Sequence, residues 1–131
     1  MPLLRPLPGG GSPDRLLNDQ DWLGLLFKSL VIRDLRVLAQ ALEGEVFHYR
    51  DNYGVKVDAI VQLRDGRWGA VEVKLGPGQV EAAAAGLLRF RHQIDTRRTG
   101  EPTFLAVVCG SGYGYRRADG IAVVPVGALG L

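Results

Sequence analysis

The hydrophobic period changes sharply after the first forty or so residues of this chain, and that change limits the folds open to it. From about Asp21 to Glu43, Leu23, Leu26, Phe27, Leu30, Val31, Leu35, Leu38 and Leu42 recur at spacings of three and four, with Asp34 breaking the stripe. Such spacing predicts an amphipathic helix, and Gly44 stands where a C-terminal cap belongs. From Val55 to Leu63 the period becomes two, with Val55, Val57, Ala59, Val61 and Leu63 on one face. That alternation predicts a strand. Two further β-rich runs flank it, Glu45–Arg50 and Arg67–Leu75, separated by the turn sequences Asp51-Asn52-Tyr53-Gly54 and Arg64-Asp65-Gly66.

Beyond Gly76-Pro77-Gly78 the Ala- and Leu-rich segment 79–95 predicts a second helix. Two short apolar runs, Thr103–Val108 and Ile121–Val124, predict buried strands on either side of a Gly- and Tyr-rich loop at 110–115. The expected fold class is mixed α/β: helix, three-stranded antiparallel meander, helix, two strands. Residues 1–20 hold a Pro/Gly-rich start and read as a flexible tail or linker, with a possible turn at Ser12-Pro13-Asp14. Residues 21–131 form the one domain.

Composition excludes several classes. The 131 residues are 47% hydrophobic and 23% charged, in the globular range. One cysteine, Cys109, excludes an internal disulfide or a cysteine-cluster zinc site, and His48 and His92 lie too far apart to suggest a histidine metal site. No apolar run reaches the ~18 residues of a membrane span, and the N-terminus lacks the apolar stretch of a signal peptide, so a cytoplasmic setting is expected. Sixteen basic against fourteen acidic residues give +2, which does not identify a nucleic-acid binder. Thirteen of the sixteen are Arg; the three lysines are Lys28, Lys56 and Lys74.

The hairpin 55–75 carries the candidate chemistry. A two-residue Asp65-Gly66 turn would mix apolar and polar faces. A three-residue loop, with Gly66 in the left-handed position of a bulged turn, sets Val57 opposite Val73, Ala59 opposite Val71 and Val61 opposite Gly69. In that register Asp58 lies opposite Glu72 and Lys56 opposite Lys74. Two carboxylates at cross-strand distance, ~5 Å between Cβ atoms, repel each other unless a cation separates them. Their oxygen chemistry suits Mg2+ or Mn2+, with the Val73 carbonyl as a third ligand. Lys74, two residues after Glu72, would position water or stabilise charge on a phosphate. A solvated polar hairpin face would carry the same residue types.

The spacing Asp58-x(13)-Glu72-x-Lys74 is the pattern of the PD-(D/E)xK nuclease fold, the core of many restriction endonucleases. Longer matches run in order: Phe27–Leu35, Tyr49-Arg50-Asp51, Val57–Val61, Ala70–Gly76, Ile94-Asp95 and Asp119–Leu129. Over roughly residues 22–131 the chain resembles the domain of unknown function at the C-terminal end of a large family of prokaryotic AAA-type ATPases. The resemblance implies a restriction-endonuclease-like core, with Asp58, Glu72 and Lys74 in catalytic positions. It also implies an ATPase partner, in trans here, because no G-x-x-x-x-G-K-[ST] occurs and no ATP hydrolysis is expected of this chain. Members usually carry Phe-Glu in the first helix where this chain has Phe27-Lys28. They often carry Glu two residues before the strand Asp, where this chain has Lys56.

Two acids replaced by two bases would weaken a metal site and favour a phosphate backbone. Lys28, Lys56, Arg89 and Arg91 are accordingly candidates for nucleic-acid contact, DNA before RNA. The cluster Arg89, Arg91, His92, Arg97 and Arg98 reads either as a phosphate-contacting patch or as a solvated helix face, and Arg116-Arg117 likewise. Tyr113 and Tyr115 are the better candidates for stacking on bases; Trp22 and Trp68 read as packing residues. Three functions are open: metal-dependent DNA hydrolysis, a non-catalytic nucleic-acid-binding module, and an interaction domain for an ATPase.

Overall fold

A computed structural model describes residues 19–129. Helix α1 spans Asp19–Ala41. Strands β1 (Glu45–Arg50), β2 (Lys56–Gln62) and β3 (Trp68–Lys74) follow as a meander, then helix α2 (Val80–Gln93) and the single turn α3 (Thr96–Thr99). Strands β4 (Phe104–Cys109), β5 (Tyr115–Arg116) and β6 (Ala122–Pro125) follow, and a 3-10 turn at Val126–Leu129 ends the described residues. The six strands form one mixed sheet in the order β1-β2-β3-β4-β6-β5. Neighbours from β1 to β3 are antiparallel, β3–β4 and β4–β6 are parallel, and β5–β6 is antiparallel. The expected mixed α/β class and the helix–meander–helix order are present; β5 and α3 are additional, each too short to leave a period in the sequence. The expected tail at 1–20 and the turn at Ser12-Pro13 lie outside the described residues, apart from 19 and 20, which belong to α1.

Both faces of the sheet are covered. On one, Val31 and Leu35 of α1 pack against Ala59, Val71, Val73, Ala106 and Val108. On the other, Ala83, Ala84, Leu87 and Phe90 of α2 pack against Val57, Trp68, Ala70, Leu105 and Val107. Phe90 meets the rings of Tyr49 and Trp68 edge-on, at centroid distances of 4.8 and 5.9 Å. The broad apolar stripe expected on α1 divides into two rows. Val31, Leu35 and Ala39 are buried, whereas Leu23, Leu26, Leu30 and Val37 are exposed. One helix can seat only part of a wide apolar arc on a sheet.

The C-terminal end of α1 differs from expectation in its detail. The left-handed residue is Glu43, at φ 59°, not Gly44. Gly44 returns its N–H to the Ala39 carbonyl at 2.7 Å. It is needed there because a Cβ would lie 2.5 Å from the Gln62 carbonyl of β2. The β2–β3 turn follows expectation: Gly66 has φ 95° and donates to the Leu63 carbonyl, while Leu63 donates to Arg67.

Candidate functional site: a forked strand pair

The pairing of β2 with β3 sets Ala59 opposite Val71 and Val61 opposite Gly69, as the apolar pattern requires, and ends at Ala59. The pairs Val57–Val73 and Asp58–Glu72 expected beyond it are not formed. Their loss traces to the other neighbour of β2. There Phe47 pairs with Ile60 and Tyr49 with Val57, so His48 alone faces Asp58 and Ala59. This is a β-bulge in β2. It turns Val57 to the α2 face, away from Ala59 and Val73 on the α1 face. The single polar face expected for this hairpin is therefore absent, and the strands part where the carboxylates stand.

Asp58 occupies the fork. Its Oδ2 accepts the Val73 N–H at 2.9 Å, in place of the missing ladder bond. Its Oδ1 lies 3.0 Å from Nζ of Lys28, which reaches across from α1. The Asp58 side chain is 8% exposed and that of Lys28 30%. Glu72, 6% exposed, hydrogen-bonds to Asp58 from β3.

Electrostatics divides the two carboxyls. Burial acts to raise the pKa of Asp58. The hydrogen bond from Glu72, the Val73 N–H and the Lys28 ammonium together outweigh it and hold Asp58 below its ordinary value. Burial first, and then the hydrogen bond and charge of Asp58, push Glu72 up to about 8. At neutral pH Glu72 is the protonated partner, donating its hydroxyl to an ionised Asp58. One proton and one ammonium thus neutralise two buried acids.

The structure brings together the three residues expected to hold a metal, Asp58, Glu72 and Val73. As arranged, they do not fit Mg2+ or Mn2+. One Asp58 oxygen is taken by a peptide N–H and the other by an ammonium, and Glu72 keeps its proton. A hard cation of this kind needs about six oxygen ligands. Among the described residues no group of three or more His, Cys, Asp or Glu side chains is placed to hold a metal ion.

Two openings flank the fork. A groove of about 620 Å³ lies between the N-terminal half of α1 and the end of β3, with Gly24, Lys28, Val73, Lys74 and Gln79 among its walls. A smaller cleft of about 160 Å³ lies on the α2 side, where Glu72 and Lys74 face Lys56, Gly86 and Arg89. Of the expected nucleic-acid contacts, Lys56 and Arg89 thus join Lys74. Lys28 is held by Asp58, and Arg91 is paired with Glu101 at 3.0 Å. The wider arginine patch is partly neutralised: Arg97 pairs with Asp95, and Arg117 bridges Glu81 and Asp119. Trp68 is buried, its indole N–H donating to the Thr99 and Gly100 carbonyls, and Cys109 is buried in the α2-side core. Tyr113, on its loop, and Tyr115, in β5, are both exposed.

Sequence reasoning set Lys28 beside the carboxylates through the family resemblance without specifying its ion pair with Asp58, and it missed the Arg117 bridge. Each joins residues far apart in the chain and depends on packing. The signal for the first was the family resemblance, which sets Lys28 where members usually carry a helix acid.

No helix among the described residues is long and apolar enough to cross a membrane. No curated protein and no solved structure shows significant similarity to the chain. Residues 23–129 match a family described as a domain of unknown function, DUF4143. That match spans most of the 131 residues, and the chain belongs to the DUF4143 family.

Proposed function

We propose that this chain is a PD-(D/E)xK nuclease-like domain that has exchanged its metal for a lysine and works as a non-catalytic nucleic-acid-binding module. The observation that carries this reading is the 3.0 Å contact between Lys28 and Asp58. An ammonium stands where a hydrolytic site of this type would need a divalent cation. The helix–meander–helix order and the spacing of Asp58, Glu72 and Lys74 support kinship with the nuclease fold. The cations Lys56, Lys74 and Arg89 beside the fork, which have no carboxylate partner among the described residues, support contact with a phosphate backbone.

Titrating labelled duplex DNA by fluorescence anisotropy at a series of salt concentrations tests the reading. Three phosphate contacts give a log–log salt slope of about −2.7. Undetectable binding at low salt, or binding indifferent to salt, would refute it. Plasmid nicking in Mn2+ that disappears in Asp58→Ala or Lys74→Ala would restore the catalytic alternative, with Asp58, Glu72 and Lys74 as its residues.

A second reading, an interaction module for an AAA-type ATPase in trans, is favoured by the exposed row Leu23, Leu26, Leu30 and Val37 on α1. Replacing Leu26 and Leu30 by Gln would abolish that association and leave DNA binding intact.

A further inference from the structure

We infer that the cleft between the β2–β3 fork and α2 is a binding site for a single phosphate group, held by Lys56, Lys74 and Arg89. The inference rests on the nucleic-acid reading only for the source of that phosphate, a DNA backbone as against free inorganic phosphate.

Charge makes the first argument. Several cations among the described residues are already engaged with carboxylates: Lys28 with Asp58, Arg64 with Glu43, Arg67 with Asp65, Arg91 with Glu101 and Arg117 with Glu81. Lys56, Lys74 and Arg89 have no carboxylate within ion-pair distance among the described residues. They come from three different elements, β2, β3 and α2, yet line one cleft. Among the described residues the only acid in its lining is Glu72. Three cations against one carboxyl leave a net charge of at least +2 whatever the state of Glu72. Like charges gathered in a concave site raise the local concentration of anions.

Shape makes the second argument. The wall that α2 presents is Ala82, Ala83, Gly86 and Arg89, spaced along one side of the helix. A Cβ added at Gly86 would meet only the Arg89 guanidinium, at 3.9 Å, so the space in front of the helix is open. The volume of about 160 Å³ equals that of on the order of five water molecules. It is large enough to admit one tetrahedral oxyanion. A planar guanidinium and two ammonium groups are the donors phosphate oxygens take best.

The test is isothermal titration of the full chain with inorganic phosphate, against chloride at matched ionic strength, alongside anisotropy with duplex DNA. Three proteins are compared: wild type, Lys56→Ala/Arg89→Ala, and Gly86→Leu, which fills the cleft without altering charge. The wild type is expected to bind phosphate. Both variants are expected to bind it about tenfold more weakly or less, the loss that follows from removing hydrogen bonds to a charged group. Should Gly86→Leu fail to fold, Lys56→Glu at an exposed position takes its place, with the same loss expected. If the wild type does not bind phosphate, or Gly86→Leu binds it as well as the wild type, the inference is overturned, whatever DNA does. If phosphate binding follows this pattern while DNA binding is undetectable, the site stands with free phosphate as its ligand and the nucleic-acid reading falls. If Gly86→Leu weakens both ligands, the phosphate belongs to the DNA backbone.

Discussion

The two sides of the β2–β3 fork are built from adjacent residues and have opposite electrostatic character. On the α1 side, Asp58 is satisfied within the chain by the Val73 N–H, Lys28 and Glu72. On the α2 side, Lys56, Lys74 and Arg89 surround a cleft, and among the described residues no carboxylate is paired to them. The contrast separates two roles that a nuclease would combine. A metal site needs its acids free and its cation supplied from outside. Here the acids are consumed internally, and it is the cations that face outward.

The largest expected effect falls on the closed side. Lys28→Ala leaves Asp58 buried without its counter-charge. It should cost about 3 kcal/mol of stability, the lower end for a broken buried pair, because the ammonium keeps some solvent contact. Urea denaturation measures this directly. A loss below about 1 kcal/mol, the worth of a surface pair, would mean that the two sides do not differ in the way described.

A smaller effect separates the sides by pH. Glu72 binds its proton more tightly in the folded chain, at about 8, than at its ordinary value of 4.5. Its contribution is therefore complete below about pH 4.5 and is lost as pH rises toward 8. The contribution of Asp58, whose pKa is lowered, is present above its ordinary range and is lost on acidification. Between pH 5.5 and 8.5 the melting temperature should fall, and Glu72→Gln should flatten that fall. An unchanged slope in Glu72→Gln would place the titration elsewhere.

The smallest effect belongs to the open side. Lys56 is exposed and has no carboxylate partner among the described residues, so Lys56→Ala should alter stability by no more than about 0.5 kcal/mol. Thermal melting of this variant beside Lys28→Ala sharpens the comparison. Equal losses in the two would remove it.

Where the sequence announces a geometry, it does so through side-chain period, and the fork lies where period misleads. Helix α1 and the pairing of Ala59 with Val71 could both be read from the apolar pattern. Val57-Asp58-Ala59 alternates without interruption, and no Gly or Pro marks the bulge that sends Val57 and Ala59 to opposite faces. A bulge opposite His48 reflects how β1 and β2 fit together, and neither strand records it alone. Asp58, Glu72 and Lys74 could be chosen as candidates by residue type and spacing. That Asp58 faces Lys28 while Lys74 faces Arg89 depends on which helix covers which side of the sheet.

The central claim is that Lys28 takes the place of a divalent cation at Asp58 and Glu72. Titrating wild type and Lys28→Glu with Mn2+, read by the loss of the free-ion electron paramagnetic resonance signal, tests it most directly. The account predicts no saturable site in the wild type and a gained site in Lys28→Glu, which restores an acid and removes the ammonium. Saturable Mn2+ binding by the wild type that is lost in Asp58→Asn would contradict it.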